Sequence, residues 1–125
     1  MNDDDVLRVV REHFSGLFPK TCPTCGRTFS TLRDYVRETR PIGATISYDA
    51  VAGDWAPARP IGTLVLANCP CGTTMALTTE QMPLAMRHQL LAWIRTESER
   101  LGVAPEQVLG ALRDRIRAAM AADSA

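Results

Sequence analysis

All four cysteines of the 125-residue chain fall in two short pairs. The first reads Cys22-Pro23-Thr24-Cys25-Gly26 and the second Cys69-Pro70-Cys71-Gly72. Between Cys25 and Cys69 lie 43 residues, so a fold that uses the four thiols together must bring the chain back on itself. A tetrahedral zinc ion takes four thiolates at about 2.3 Å each. Cys-x-x-Cys offers two of them from one tight loop. A glycine after the second cysteine frees the backbone to turn so that amides face the sulfurs. Gly26 and Gly72 both hold that position. The spacing predicts one four-thiolate site made of Cys22, Cys25, Cys69 and Cys71.

The alternative use of close-spaced cysteines, a disulfide framework, belongs to secreted chains. Here the start is acidic, Met1-Asn2-Asp3-Asp4-Asp5, with no basic stretch leading into a long apolar one. The run Leu64 to Ala67 is far too short to cross a bilayer. These features lead us to expect a cytoplasmic protein that does not enter a membrane, where such cysteines serve as metal ligands or redox thiols. The composition, 46% hydrophobic and 22% charged, is that of a globular domain, and the length suits one. Formal net charge is zero, which argues against wholesale coating of nucleic acid or an anionic membrane. Thirteen of the fourteen basic residues are Arg, with Lys20 the exception; together with the many alanines this suggests a GC-rich bacterial source.

Periodicity divides the chain into an N-terminal helix (1–19), a four-cysteine module (20–79) and a helical hairpin (80–125). Val6, Leu7, Val10, Phe14 and Leu17 recur at helical spacing from Asp3 to Phe18, with aspartates at the favourable end and Gly16 and Pro19 at the other. His13 lies within this helix as a surface residue. Ser30 is placed to cap a short helix to about Thr39, burying Phe29, Leu32, Tyr35 and Val36. Arg33, Arg37 and Arg40 fall on its other side. Ile46 to Tyr48 alternates as a short strand, and Asp49 to Asp54 reads as a turn whose carboxylates serve the backbone. Trp55 to Pro60 is too rich in proline for a central strand. Gly62–Ala67 and Thr73–Thr78 form a hairpin with the second cysteine pair at its tip. Thr78-Thr79-Glu80-Gln81 has a capping-box pattern before a helix to about Leu101, with Met86, Leu90, Trp93, Ile94 and Leu101 as its apolar stripe. Gly102 ends it. Pro105 opens a last helix with Val108, Leu109, Leu112, Ile116 and Met120 inward. His88 is placed on the exposed side of the long helix. The fold class is α+β.

On its cysteines, Pro23, Pro70, Gly26 and Gly72, the segment from Cys22 to Thr78 resembles the zinc-ribbon and rubredoxin-like folds. There, two cysteine-bearing turns on β-hairpins share one metal. The chain departs from that pattern in its Cys-x-Cys second turn and its long insertion, which leaves a treble-clef-like or irregular module open. Asn68 to Thr74 is also similar to a stretch found in short bacterial proteins. The resemblance implies one zinc per chain, with iron ranked below it. Four thiolates leave no position for water or substrate, which disfavours hydrolytic chemistry. A rubredoxin-type iron site and a thiol switch that exchanges zinc for disulfides are the other readings.

Elsewhere the sequence carries no phosphate-binding glycine loop and no nucleophile set beside a base. Residues 20–40 hold five positive charges against two negative ones, which reads as a solvated helix face ahead of an anion or nucleic-acid patch at Arg33, Arg37 and Arg40. Ser98, Gly102 and Val108 resemble the middle of a helix-turn-helix, whose second helix would bring Arg113, Arg115 and Arg117 to phosphates. Residues 80–123 are electrically neutral, however, with Glu106 and Asp114 on the would-be reading helix. The sequence therefore leads us to expect a non-enzymatic zinc protein that presents a surface to another protein. A DNA-binding regulator is second and a redox sensor or electron carrier third.

Overall fold

The computed structural model describes residues 1–122; the last three positions of the predicted helical hairpin lie outside them. The fold is α+β, with five helices and two small antiparallel sheets among the described residues. Helix α1 (Asp3–Ser15) starts at Asn2, whose side chain and that of Asp5 each accept the other's backbone N–H in a capping box. It stops short of the predicted Phe18. Its buried stripe is Val6, Val9, Val10 and Phe14.

Strands β1 (Lys20–Thr21) and β2 (Thr28–Phe29) pair across the first cysteine turn. Helix α2 (Leu32–Glu38) follows. Thr31, not Ser30, caps it, with Oγ1 accepting the Asp34 N–H at 3.1 Å. Leu32, Tyr35 and Val36 are buried as the periodicity required. Arg40 does not belong to this helix. Pro41 disfavours the helical conformation for the residue before it, so Arg40 is extended and opens strand β3 (Arg40–Ser47). That strand is longer than the Ile46–Tyr48 segment read from the sequence, because a register shift between Ile42 and Ile46 interrupts its alternation.

The predicted turn at 49–54 is instead a one-turn helix, α3 (Tyr48–Ala52). Ser47 Oγ accepts the Ala50 N–H at its start, and Gly53 closes it in the left-handed region at φ +76°. Asp49 does serve the backbone: its carboxylate accepts the N–H groups of Ile61 at 2.9 Å and Gly62 at 3.0 Å. The proline-rich connector is pinned to the long helix α4 (Leu84–Leu101). His88 bonds the Pro57 carbonyl at 2.8 Å and Arg87 donates to that of Pro60 at 3.0 Å. His88 is therefore a half-buried anchor rather than an exposed residue.

Strands β4 (Thr63–Asn68) and β5 (Thr74–Thr78) form the expected hairpin, and β3 completes a sheet of order β3-β4-β5. His13 reaches this sheet, its Nε2 lying 2.9 Å from the Thr78 carbonyl oxygen. The capping-box pattern at 78–81 is not used as one. Thr79 is buried and its Oγ1 accepts the Thr63 N–H at 2.9 Å, while α4 begins after Pro83 without a side-chain cap. Met86, Leu90, Trp93 and Ile94 face inward, but Leu101 is exposed and Leu91 takes a buried place in the stripe. Gly102, at φ +66°, ends α4 as predicted. Helix α5 (Pro105–Ala122) packs against β3, α2, α4 and α1, with Val108, Leu109, Leu112 and Ile116 buried. One core runs from α1 across the sheet to α5 and includes Cys22 and Cys69.

Candidate metal centre

Each cysteine turn is built by a short backbone bridge. In the first, Cys22 N–H donates to the Arg27 carbonyl at 2.8 Å and Gly26 N–H returns to the Cys22 carbonyl at 3.0 Å. In the second, Cys69 N–H donates to Thr73 at 2.8 Å and Gly72 N–H to Cys69 at 2.8 Å. Closing such tight loops requires positive φ after each pair. Gly26 at +76° and Gly72 at +96° supply it without the steric cost a side chain would bring.

The two turns meet. All four Sγ atoms lie within 4.8 Å of one another. The Cys22–Cys71 and Cys25–Cys69 separations are both 3.7 Å. A disulfide would require about 2.05 Å, so these are free thiols. A tetrahedron with metal–sulfur bonds of about 2.3 Å has sulfur–sulfur edges of about 3.8 Å. The donor set and its spacing therefore fit one tetrahedral metal ion. Each short edge joins a buried cysteine of one turn to an exposed cysteine of the other.

Electrostatics around the thiols are uneven. The backbone N–H groups of Cys25 and Thr24 point at Cys22 and lower its pKa. The Thr73 hydroxyl, 3.2 Å from Cys71 Sγ, and the Thr73 N–H bring Cys71 down to about 6. Cys69 receives the Cys71 N–H, but burial and the crowding of three other sulfurs outweigh it and push Cys69 up to about 12. A divalent cation among the sulfurs reverses that last effect, because its charge favours the thiolate at every ligand. Behind the site, the ring of Tyr35 packs edge-on against Phe29 and tilted against Phe18. Burial pushes its phenol up to about 12.

The arginines singled out from the sequence occupy three different settings. Arg37 and Arg40 are exposed, on α2 and at the start of β3. Arg33 is partly buried on α2. Arg117 is turned inward: its guanidinium donates to the carbonyls of Val36 at 3.0 Å and Thr39 at 2.7 Å, satisfying the C-terminal end of α2. Arg113 donates to the Gly43 carbonyl at 3.1 Å and pairs with Asp114. Arg115 lies 3.7 Å from Asp4. The sequence reading missed Thr73 as a partner of Cys71, although a hydroxyl two residues after a ligand is visible as a signal. It also missed Arg117 as a cap, which only the long-range packing of α5 on α2 reveals.

No protein-family model, curated protein or solved structure matches this chain. Among the described residues, no helix is long and apolar enough to cross a membrane.

Proposed function

We propose that this chain is a non-enzymatic protein in which Cys22, Cys25, Cys69 and Cys71 hold one structural zinc ion, and that the folded surface so fixed binds another protein. The observation that carries the reading is the four-sulfur cluster, whose 3.7 Å edges match a closed tetrahedron. With every coordination position filled by thiolate, the metal supplies folding free energy rather than a site for substrate. The two turns join segments far apart in the chain, so the ion acts as a long-range cross-link.

The same charge balance bears on the nucleic-acid alternative. Zinc with four thiolates is formally a dianion, and the local excess of three positive charges in residues 20–40 offsets it. In the helix-turn-helix reading, α5 would have to offer Arg113 and Arg117 outward, but both spend donors on the protein's own carbonyls. These placements favour the protein-binding reading. Elemental analysis of the purified chain is expected to find one zinc per chain, and chelation is expected to loosen the fold, most of all around the first cysteine turn. A red, iron-containing protein, a chain that binds no zinc, or a first cysteine turn unaffected by chelation would overturn the assignment.

A further inference from the structure

The two faces of the β3-β4-β5 sheet are both apolar, and only one of them enters the core. Along β4, Thr63, Val65 and Ala67 point one way, with Ala67 and Val65 joined to the core cluster. Leu64 and Leu66 point the other way. The register places Ile42, Leu66 and Ala76 in one row across the three strands, and Ile46, Leu64 and Thr78 in the next. All six are partly exposed. None of these aliphatic side chains belongs to the core cluster or packs against it. An antiparallel sheet that is open on one side ordinarily turns polar residues to water. This one turns isoleucine and leucine.

The apolar face continues past the sheet. Ile46, Tyr48 and Val51 line a groove of about 430 Å³ beside it, rimmed by Pro105 and Glu106. Tyr48 is 43% exposed and Val51 75% exposed. Among the residues of these rows and of the groove, the charged ones stand at the two ends. Arg40, in the row of Asn68 and Thr74, stands at one end of β3. Glu106 stands at the other, on the groove. Both are exposed, and neither side chain has a partner among the described residues.

We infer that this face is the contact surface for a second copy of the chain, packed sheet against sheet about a two-fold axis. The ends decide the occupant. A two-fold axis through the middle of the face lays the Arg40 end of one copy over the Glu106 end of the other, so the apolar rows meet and the opposite charges pair twice. Three strands about 4.8 Å apart and six residues long give a footprint of about 300 Å², which the groove residues extend. That is below the roughly 800 Å² per partner of a standard tight interface, so the dimer is a weak one, dissociating in the micromolar range. The inference gives the interaction surface proposed above its occupant and rests on that reading. Metal content measured on the same samples separates a failure of one from a failure of the other.

Sedimentation velocity from about 5 to 200 μM is the test, spanning the dissociation constants that such an interface supports. The expected result is a shift from the 13.7 kDa chain towards twice that mass. Leu66→Asp should keep the zinc content and circular dichroism and remain monomeric throughout. Arg40→Glu and Glu106→Arg should each weaken association roughly tenfold, and the combined reversal should restore it. Should Leu66→Asp fail to fold, the charge-reversal series, confined to exposed side chains, decides alone. A wild-type monomer at every concentration would overturn the inference, as would a dimer indifferent to these charges or not rescued by the double reversal.

Discussion

Cys22 and Cys25 sit on a turn carried by strands of two residues each, whereas Cys69 and Cys71 cap a hairpin whose strands run six and five residues. The second turn is therefore part of a three-stranded sheet with a packed face. The first has little structure of its own, since a hairpin that short is not stable alone. It is held by Phe29 behind it, by the α2 packing that follows, and by whatever joins its sulfurs to the second turn. The same ligand chemistry thus rests on a preformed platform on one side and on a dependent loop on the other. The metal should matter most to the dependent side.

Chelation gives the largest contrast. Removing the ion should raise amide exchange at Cys22 and Gly26 by roughly 100-fold or more, while Leu66 and Ala67 in β4 change far less. Equal loss in both turns would erase the difference. Phe29→Ala comes next. Phe29 is fully buried against Tyr35, and its truncation should cost about 3–5 kcal/mol in a denaturant titration of the zinc-loaded protein. The two glycines sharpen the comparison on a finer scale. Alanine at either is strained by its positive φ at a cost of about 1 kcal/mol, with Gly72 at +96° more sensitive than Gly26 at +76°. Asparagine at Gly26 should recover most of the loss, because it tolerates the left-handed region.

The smallest effect concerns pH. The Thr73 hydroxyl lies 3.2 Å from Cys71 Sγ and favours its thiolate, and among the described residues no hydroxyl stands in that relation to Cys25. In the metal-free chain, the depressed pKa of Cys71 contributes stability that is present above its unfolded value and is lost as pH falls through about 6. Thr73→Val removes the hydroxyl donor and raises that pKa. Acid release of zinc should then begin at a higher pH, by less than about one unit, as followed by a colorimetric metal indicator. An unchanged or lower release pH would show that Thr73 does not stabilise the thiolate.

Much of this arrangement was legible in the residues. The cysteine spacing named a single site, and the glycines after each pair named its turns, because few dihedral solutions close such loops. The helices α1, α2, α4 and α5 followed from apolar periodicity with caps or breakers at their ends. The errors share a physical source. Arg40 was read on a helix face although Pro41 already barred it. Thr78 to Gln81 looked like a cap, but the buried Thr63 N–H needed the Thr79 hydroxyl more. The bulge in β3 broke the alternation that would have marked its length. Arg117 could not be placed from sequence, since its partners on α2 lie about eighty positions away. The unburied apolar side of the sheet was equally hidden, because alternation alone does not say which apolar row the core will claim.

The central assignment, one zinc shared by two unequal turns, is tested most directly by X-ray absorption at the zinc edge of the purified protein. The account predicts four sulfur scatterers at about 2.3 Å and no nitrogen or oxygen in the first shell. A mixed shell, fewer than four sulfurs, or a protein that carries no zinc would contradict it.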